Sequence, residues 1–239
     1  MTDGFNVAEV RVGRVGALGP NAVPSGIDKQ PVTGPVMATP GGINGDEQGD
    51  TRHHGGPDKA IHAYATSNLP LWAADLPAQA GLFVPGAFGE NLVVSGIDEA
   101  GICLGDRWQI GAALCDVSQG RQPCWRLNLR FGRPDMAWLV QKTGRTGWYF
   151  RVLEQGLIAA GDSGMLLSRP NPHWTLSRVT RLLYHDTLDR AALAEFAVLL
   201  GLPESWRNLA NARLASNRTE TWGRRIETPD QDLSGASSP

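Results

Sequence analysis

The sequence predicts a mainly β body followed by a small group of helices, and three observations support this division. Short runs rich in β-forming residues follow one another through the first two thirds of the chain, separated by Gly or Pro. After Pro170 and Pro172, apolar residues recur at helical spacing instead. The final segment, ETPDQDLSGASSP, has almost no apolar residues. We therefore predict a β domain over residues 1–170, a three-helix subdomain over 171–225 and a disordered tail over 226–239.

The predicted strands are short runs broken by turn-forming residues: VAEVRVGRV, PVTGPVMA, NLVVSGI, CLGDRWQIG, ALCDVS, WYFRVLEQG and MLLS. Many short strands with such punctuation favour a β-barrel or a β-sandwich over alternating βαβ units. Helices within this body are expected only over residues 67–75 and 134–143. The sequence GDSG, between LIAA and MLLS, is expected to be a hairpin turn.

Apolar stripes mark the three predicted helices of the C-terminal subdomain. The stripes are Leu176, Val179 and Leu183 in the first helix, Leu193, Phe196, Ala197 and Leu200 in the second, and Trp206, Leu209, Ala210 and Leu214 in the third. Asp189 is the expected N-cap of the second helix and Gly201 its expected end, while Pro203 is expected to open the third.

Composition limits the classes of partner. The 239 residues include 41% apolar and 19% charged side chains with a formal net charge of -2, so nothing in the balance favours a nucleic acid polymer. No apolar run approaches the roughly 18 residues of a membrane span, so no membrane association is expected. The first residues lack the pattern of a signal peptide, and we expect a cytoplasmic protein. The three cysteines fit neither a disulfide framework nor a zinc site, which favours reduced thiols.

Cys124 is the first candidate for a functional residue. In VSQGRQPCWRLNLRFG it stands directly after a proline, between Arg121 and Arg126. Nearby positive charge favours the thiolate, which is the form that attacks electrophiles and binds soft metals. A buried structural thiol is the alternative, and it is our interpretation of Cys103 and Cys115, which lie in apolar strand-like runs.

The segment HHGGPDK is the second dense cluster of polar residues. Gly55 and Gly56 would let backbone amides approach a phosphate closely, with Lys59 supplying charge and His54 a hydrogen-bond donor. A zinc site formed by the adjacent histidines and the later His62 is the less favoured alternative, because further partners at zinc spacing are not evident. A purely structural alternative is a turn that connects two strands and carries solvated charges, in which Asp58 caps the segment that follows.

Four further residues are candidates for ligand contacts, and for three of them a structural interpretation is equally open. Asn91 in GENL is either a hydrogen-bonding contact to a ligand or a turn residue. Arg145 in GRTG lies between glycines as in a phosphate-contacting turn, although the motif alone is weak. Lys29 in SGIDK is an anion contact or a solvated lysine, and Arg121 an anion clamp or a surface ion pair.

Together these segments resemble the MOSC domains, named for the C-terminal domain of molybdenum cofactor sulfurase, and within them the YiiM-like bacterial proteins. The resemblance rests on HHGGPDK, the Cys124 segment, SGIDK, FGENL and TGRTGWYFRVL, and covers nearly all of residues 5–222. It implies a mainly antiparallel β-barrel followed by three helices. A proline more often stands in the family where this chain has Gly120, which weakens inferences about local backbone rigidity.

The resemblance also implies a molybdenum cofactor, in which molybdopterin carries the metal. Cys124 would be both the metal ligand and the catalytic residue, because its soft sulfur suits molybdenum. The cofactor-binding residues implied in the same way are Lys29, His54, Gly55, Gly56, Asp58, Lys59, Asn91, Gln119, Arg121 and Arg145.

The implied activity is reduction of small N-hydroxylated compounds such as 6-hydroxylaminopurine. A separate reductase is the expected electron donor, because the chain has no flavin, haem or iron–sulfur ligation pattern. One alternative is a cofactor carrier or sulfur-transfer protein, and another is a cofactor-free interaction module that docks through its helices. A homodimer is a further expectation, based on Trp and Leu residues in the helical part.

Overall fold

The computed structural model describes residues 4–49 and 55–229. The strands within these ranges are β1 (Gly4–Val12), β2 (Gly16–Leu18), β3 (Val23–Ser25), β4 (Gln30–Pro31), β5 (Val36–Thr39), β6 (Gly42–Ile43), β7 (Ile61–Ala65), β8 (Leu92–Ser95), β9 (Arg107–Ile110), β10 (Ala113–Gly120), β11 (Trp148–Glu154), β12 (Gly156–Ile158) and β13 (Ser163–Ser168). The α-helices are α1 (Asn68–Asp75), α2 (Arg126–Phe131), α3 (Met136–Thr143), α4 (Leu176–Tyr184), α5 (Arg190–Ala197), α6 (Glu204–Ser216) and α7 (Gly223–Ile226). In this part of the chain, no helix has the length and apolar character needed to cross a membrane.

Seven strands close into a barrel in the order β13, β9, β10, β11, β7, β8 and β1, because β1 pairs with both β8 and β13. The pairs around the ring are antiparallel except for β7 and β8, which run parallel. Closure satisfies the backbone hydrogen bonds that an open sheet would leave at its edges. The prediction of a mainly β, antiparallel barrel followed by helices is confirmed.

The barrel wall separates two apolar environments, and β7 illustrates this. All five residues of its sequence IHAYA are buried. Ile61 and Ala63 belong to the barrel core, together with large side chains such as Trp108. Tyr64 belongs instead to a second cluster, formed with α1, α2 and α3. Because successive side chains of a strand alternate between faces, His62 lies on the same outer face as Tyr64.

The helices α4, α5 and α6 pack against the barrel and share its core. Trp174, Phe196 and Trp206 belong to the same continuous apolar cluster as the barrel strands. The expected N-cap of α5 is confirmed, since the Asp189 carboxylate accepts a hydrogen bond from the Ala192 amide at 3.0 Å. The body helices expected over 67–75 and 134–143 are confirmed as α1 and α3.

The end of the second C-terminal helix differs from the prediction. The helix stops at Ala197, before the expected end at Gly201. Leu199 then turns into the core, while Leu200, which was assigned to the apolar stripe, is 70% exposed. The irregular turn after Ala197 changes which side chain faces inward, so helical spacing no longer applies there.

The prediction of a hairpin at GDSG is wrong. β12 pairs with β5, whereas β13 pairs with β1 and β9, so the turn joins strands that are not neighbours. Asp162 explains the change of direction: its carbonyl accepts from the Val7 amide and its carboxylate from the Ala159 amide, both at 2.8 Å. The first bond ties the turn to β1, while the second lies within the turn itself.

Two helical segments were not expected from the sequence. One is α2, which follows Cys124 and ends at Gly132 in the left-handed conformation, φ 61°. The other is α7, which reaches into the segment predicted to be a disordered tail. Residues 226–229 are described, and the Ile226 carbonyl accepts from Asn128 Nδ2 at 2.9 Å. The rest of that predicted tail, 230–239, lies outside the described residues.

Candidate functional site

An open pocket lies at the barrel wall near the ends of β7, β10 and β11. It brings together Lys29, Lys59, Asn91, Arg121 and Cys124, which the sequence analysis selected separately. The other lining residues are Ser25, Gly26, Ile27, Asp46, Glu47, Gln48, Gly49, His62, Phe88, Gly89, Arg126 and Tyr149. These come from distant parts of the chain, so the pocket depends on the closed barrel and its loops.

Cys124 lies where β10 gives way to α2. The pairing of β10 with β11 continues for one more residue, because the Arg121 amide donates to the Gly147 carbonyl at 3.0 Å. Pro123 has no amide hydrogen with which to extend the ladder. The Cys124 carbonyl then accepts from the Leu127 amide at 3.0 Å. This strand-to-helix turn sets Cys124, which is 7% exposed, in the pocket wall.

The other two cysteines have a different environment. Cys103 and Cys115 are almost fully buried, and the three cysteines form no disulfide. Burial raises the pKa of Cys103 to about 11 and that of Cys115 to about 12. Both therefore remain protonated thiols at neutral pH, as expected for structural cysteines.

Tyr149 and His62 form a cross-strand pair in the pocket. The register of β11 against β7 sets them opposite each other, and their rings lie 5.1 Å apart. Gln119 is opposite Tyr149 in β10, so the row crosses three strands, although Gln119 itself is buried outside the pocket lining. Burial raises the pKa of the Tyr149 hydroxyl, and the nearby Arg121 guanidinium opposes this rise.

Two buried polar atoms of the lining, Arg121 Nη1 and His62 Nε2, have no hydrogen-bond partner among the described residues. An unsatisfied buried polar group costs about 1–3 kcal/mol, so a ligand atom that supplied the partner would be stabilising. Burial first, and the charge of Arg121 second, lower the pKa of His62 to about 3. His62 is therefore neutral at physiological pH, with one ring nitrogen as donor and the other as acceptor.

A second group of lining residues, Lys29, Asp46 and Asn91, is hydrogen-bonded within itself, and we call it the paired wall. Lys29 forms an ion pair with Asp46, and both side chains are buried. The Asp46 carboxylate also accepts from the Gly13 amide and from Asn91 Nδ2, each at 2.9 Å. Asn91 Oδ1 accepts from the His62 amide at 3.1 Å. Burial lowers the pKa of Lys29, against the opposing effect of Asp46. The side chains of Lys29 and Asn91 thus build the wall while they line the pocket.

The loop predicted to bind phosphate is described from Gly55 onward, and His54 lies outside the described residues. Gly56 has φ 98° and precedes the 3-10 turn Pro57–Lys59. Lys59 lines the pocket, whereas Gly55, Gly56 and Asp58 do not. Asp58 does not cap the next segment, because its carboxylate accepts from Arg151 Nε at 2.7 Å. Its ion pair ties the loop to β11.

Arg145 lies outside the pocket lining, although the sequence analysis included it among the cofactor-binding residues. Its guanidinium pairs with Asp75 at 2.7 Å and stacks over the Trp72 ring at 4.8 Å. Its carbonyl accepts from the Tyr64 hydroxyl at 3.2 Å. These contacts connect the GRTG turn to α1, away from Cys124.

Sequence analysis did not select Tyr149, Asp46 or Phe88, and it considered His62 only as a zinc ligand. A usable signal existed for His62, because a lone histidine within the apolar run AIHAYA predicts a buried imidazole. Tyr149 could not have been selected in this way, since its place opposite His62 follows from the register of β11 against β7.

The donor set suits an anionic ligand that brings most of its own metal ligands. Lys59, Arg121 and Arg126 contribute positive charge around the single thiol of Cys124. The described ranges contain no group of three or more His, Cys, Asp or Glu residues arranged to hold a metal ion. A metal in this pocket would therefore take one thiolate from the protein and its remaining ligands from the bound molecule.

Comparisons with known proteins match both parts of the chain. A family model described as MOSC domain matches residues 50–163, and one described as YiiM-like, 3-alpha helix domain matches residues 174–217. Protein YiiM of Escherichia coli is 37% identical over 218 residues, which are 91% of this chain and 96% of that protein. A protein named Reductase from Gibberella moniliformis is 38% identical over 87% of this chain, but the match spans only 37% of that longer protein.

Solved structures give the same relationship. The crystal structure of YiiM from Escherichia coli superposes with a TM-score of 0.80 at 32% identity, covering 94% of this chain and 99% of that one. YiiM from Geobacillus stearothermophilus has a TM-score of 0.75 at 33% identity, covering 88% of this chain and 99% of that one. Since these matches extend over barrel and helices alike, the chain belongs to the MOSC-domain proteins, within the YiiM-like family.

Proposed function

We propose that this protein is a molybdenum cofactor-dependent reductase of N-hydroxylated compounds, with 6-hydroxylaminopurine as a model substrate. MOSC domains in general are associated with binding of the molybdenum cofactor. A relative that carries the name Reductase supports an oxidoreductase role. One observation carries the proposal: Cys124 shares its pocket with Arg121 and His62, whose buried Nη1 and Nε2 atoms have no hydrogen-bond partner among the described residues.

The residues present fit such a cofactor. When bound, it supplies a molybdenum centre capable of two-electron chemistry, held mainly by the sulfur atoms of the pterin. Cys124 would contribute a soft thiolate ligand. Arg121 would donate from Nη1 to an anionic oxygen of the ligand, and Lys59 would contribute charge toward a phosphate.

His62 has a defined part in this proposal. Because its pKa is lowered to about 3, the ring carries no charge that would compete with Arg121 or Lys59 for an anion. His62 lines the pocket as a neutral ring, in which one nitrogen can donate and the other accept a hydrogen bond. Beside it, the Tyr149 ring offers a flat face at which a heterocyclic base could stack.

The proposed reaction requires an external source of electrons. Cleavage of the N–O bond of a hydroxylamine consumes two electrons and two protons, and it yields an amine and one water molecule. The polar pocket would orient the N–OH group, while the two electrons would come from a separate reductase.

The test combines metal content with turnover. Wild-type protein and Cys124→Ser would be produced in a host that makes molybdopterin, then analysed for molybdenum and for reduction of 6-hydroxylaminopurine with reduced methyl viologen. We expect molybdenum and turnover in the wild type and neither in Cys124→Ser, with similar thermal unfolding midpoints. Cys103→Ala is the matched control and should retain both.

Other combinations of molybdenum content and turnover would change the proposal in specific ways. Unchanged turnover in Cys124→Ser would remove this cysteine from the reaction. Molybdenum without turnover would support the alternative of a cofactor carrier or sulfur-transfer protein. Absence of molybdenum from the wild type, even in the competent host, would contradict the proposal and favour a cofactor-free interaction module.

A further inference from the structure

The chain returns from the three-helix subdomain to the barrel through a short segment, residues 222–229, which we call the C-terminal strap. Its start is fixed by contacts with the subdomain. Glu220, just before the strap, pairs with the buried Arg213 at 2.7 Å and accepts from Trp222 Nε1 at 2.9 Å. The Trp222 ring packs edge-on against Tyr184, with ring centroids 5.8 Å apart.

The other end of the strap contacts the turn that carries Cys124. Arg225 Nη1 donates to the Pro123 carbonyl, and the Arg225 carbonyl accepts from the Trp125 amide at 2.8 Å. The residues on both sides of Cys124 are therefore hydrogen-bonded to one and the same residue of the strap.

Arg225 also ties this turn to the helices around it. Its Nη2 atom donates to Oε1 of the buried Gln141 in α3, and its guanidinium lies over the Tyr184 ring of α4, 5.5 Å from the centroid. A planar guanidinium can hold a carbonyl, an amide oxygen and an aromatic face at once, and few other side chains can do so.

A second contact reinforces the same junction. Asn128 of α2 donates from Nδ2 to the Ile226 carbonyl at 2.9 Å and to Thr228 Oγ1 at 3.2 Å. Its Oδ1 atom accepts from the Ala137 amide at 2.8 Å. Both the turn before α2 and the helix itself are thus bound to the strap.

We propose that the C-terminal strap positions Cys124, and that Arg225 is the positioning residue. Without the strap, the carbonyl of Pro123 and the amide of Trp125 lose their partners, and the turn between them gains conformational freedom. The thiol would then sample geometries other than the one that faces the pocket. The contacts between the strap and the Cys124 turn do not depend on the proposed function. Only the use of a positioned Cys124, as a metal ligand, rests on that proposal.

The test measures thiol reactivity in cofactor-free protein, produced in a host that cannot make molybdopterin. Wild type, Arg225→Ala and the matched control Arg224→Ala, whose side chain is exposed, would be treated with iodoacetamide. Alkylation of each cysteine would be followed by peptide mass spectrometry. We expect Cys124 to react about tenfold faster in Arg225→Ala, with the control at the wild-type rate.

The buried cysteines separate positioning from general unfolding. Cys103 and Cys115 should keep their wild-type rates in Arg225→Ala. Trp222→Ala loosens the strap without touching the Cys124 turn, and it should also accelerate Cys124. Equal Cys124 rates in the Arg225 and Arg224 variants would overturn the inference, and so would parallel acceleration of all three cysteines, because the strap would then stabilise the whole fold.

Failure of the strap inference can be distinguished from failure of the proposed function. If the wild type binds no molybdenum but Arg225→Ala still accelerates Cys124 selectively, the strap positions the thiol and the cofactor proposal is wrong. If the wild type binds molybdenum and the Cys124 rate is unaffected, the cofactor proposal stands and the strap inference is wrong.

Discussion

The two walls of the pocket differ in whether their buried polar groups have hydrogen-bond partners within the protein. On one wall, Lys29, Asp46 and Asn91 satisfy one another, and the Asp46 carboxylate takes a further hydrogen bond from the Gly13 amide. On the wall beside Cys124, one nitrogen of a buried arginine and one of a buried histidine have no partner among the described residues.

The polar residues of the first wall stabilise the pocket, whereas the unpartnered atoms of the second are those that a ligand would satisfy. A buried network with all its partners inside the protein contributes to stability, and loss of one member leaves the others unsatisfied. A buried donor without a partner lowers stability until a ligand supplies one. Substitutions on the two walls should therefore have different effects on folding and on cofactor retention.

The largest effect is expected on the paired wall. Asp46→Ala would leave the buried ammonium of Lys29 without its partner, and we expect the free energy of unfolding to fall by about 3–5 kcal/mol. Urea denaturation would measure it. Asp28→Ala is the matched control, because Asp28 is 66% exposed in its pair with Arg130, and it should cost about 1 kcal/mol or less. Equal losses in the two variants would break the contrast between the walls.

The second effect is a dependence of stability on pH that originates at His62. The folded pKa is about 3 and the ordinary value 6.5, so between these values the unfolded chain binds a proton that the folded protein excludes. The stabilisation that follows from keeping His62 neutral is therefore complete above pH 6.5. Below that value the free energy of unfolding declines by about 1.4 kcal/mol for each pH unit, down to the folded pKa. Urea denaturation at pH 7 and pH 5 should show this decline in the wild type and a shallower one in His62→Gln.

The control for this measurement is His173→Gln, since His173 is exposed. We expect this variant to follow the wild-type pH dependence. If His62→Gln lost stability between pH 7 and pH 5 as steeply as the wild type, the ring would not be neutral and buried as described.

The smallest effect on stability is expected at Arg121. Arg121→Ala removes a buried guanidinium with an unsatisfied nitrogen, so the free energy of unfolding should change by about 1 kcal/mol or less. Under the proposed function, molybdenum content and pterin fluorescence should nevertheless fall. Arg145→Ala is the matched control because Arg145 lies outside the pocket, and it should retain the wild-type cofactor content. Equal retention in both variants would remove Arg121 from the ligand-binding wall.

Local spacing predicted the mainly β body and the three helices that follow it, whereas the choice of a barrel over a sandwich came from the resemblance to MOSC domains. The change from short β-runs to helical stripes located the C-terminal helices, and the Asp189 N-cap was identified from residue type and position. The local errors arose where long-range contacts override sequence patterns. Asp162 binds to β1 and prevents the expected hairpin, and Leu199 rather than Leu200 turns into the core.

For the site, the sequence identified residues but not how each is used. Cys124, Arg121 and Lys59 meet in one pocket. Lys29 meets them too, but its ion pair with Asp46 depends on a contact between separate loops that no local pattern reveals. The place of Tyr149 is set in the same non-local way, by strand register.

The position of the pocket outside the barrel wall has a consequence for how such a protein can change. The barrel interior is filled by residues such as Trp108, Trp148 and Phe150, which alternate along their strands with outward-facing neighbours. Lining residues such as Gln48 and Arg126 can therefore change without altering the volume of the barrel interior. Selection on ligand binding, in evolution or in a mutant library confined to the lining, would act on this surface while the hydrophobic interior stays constant.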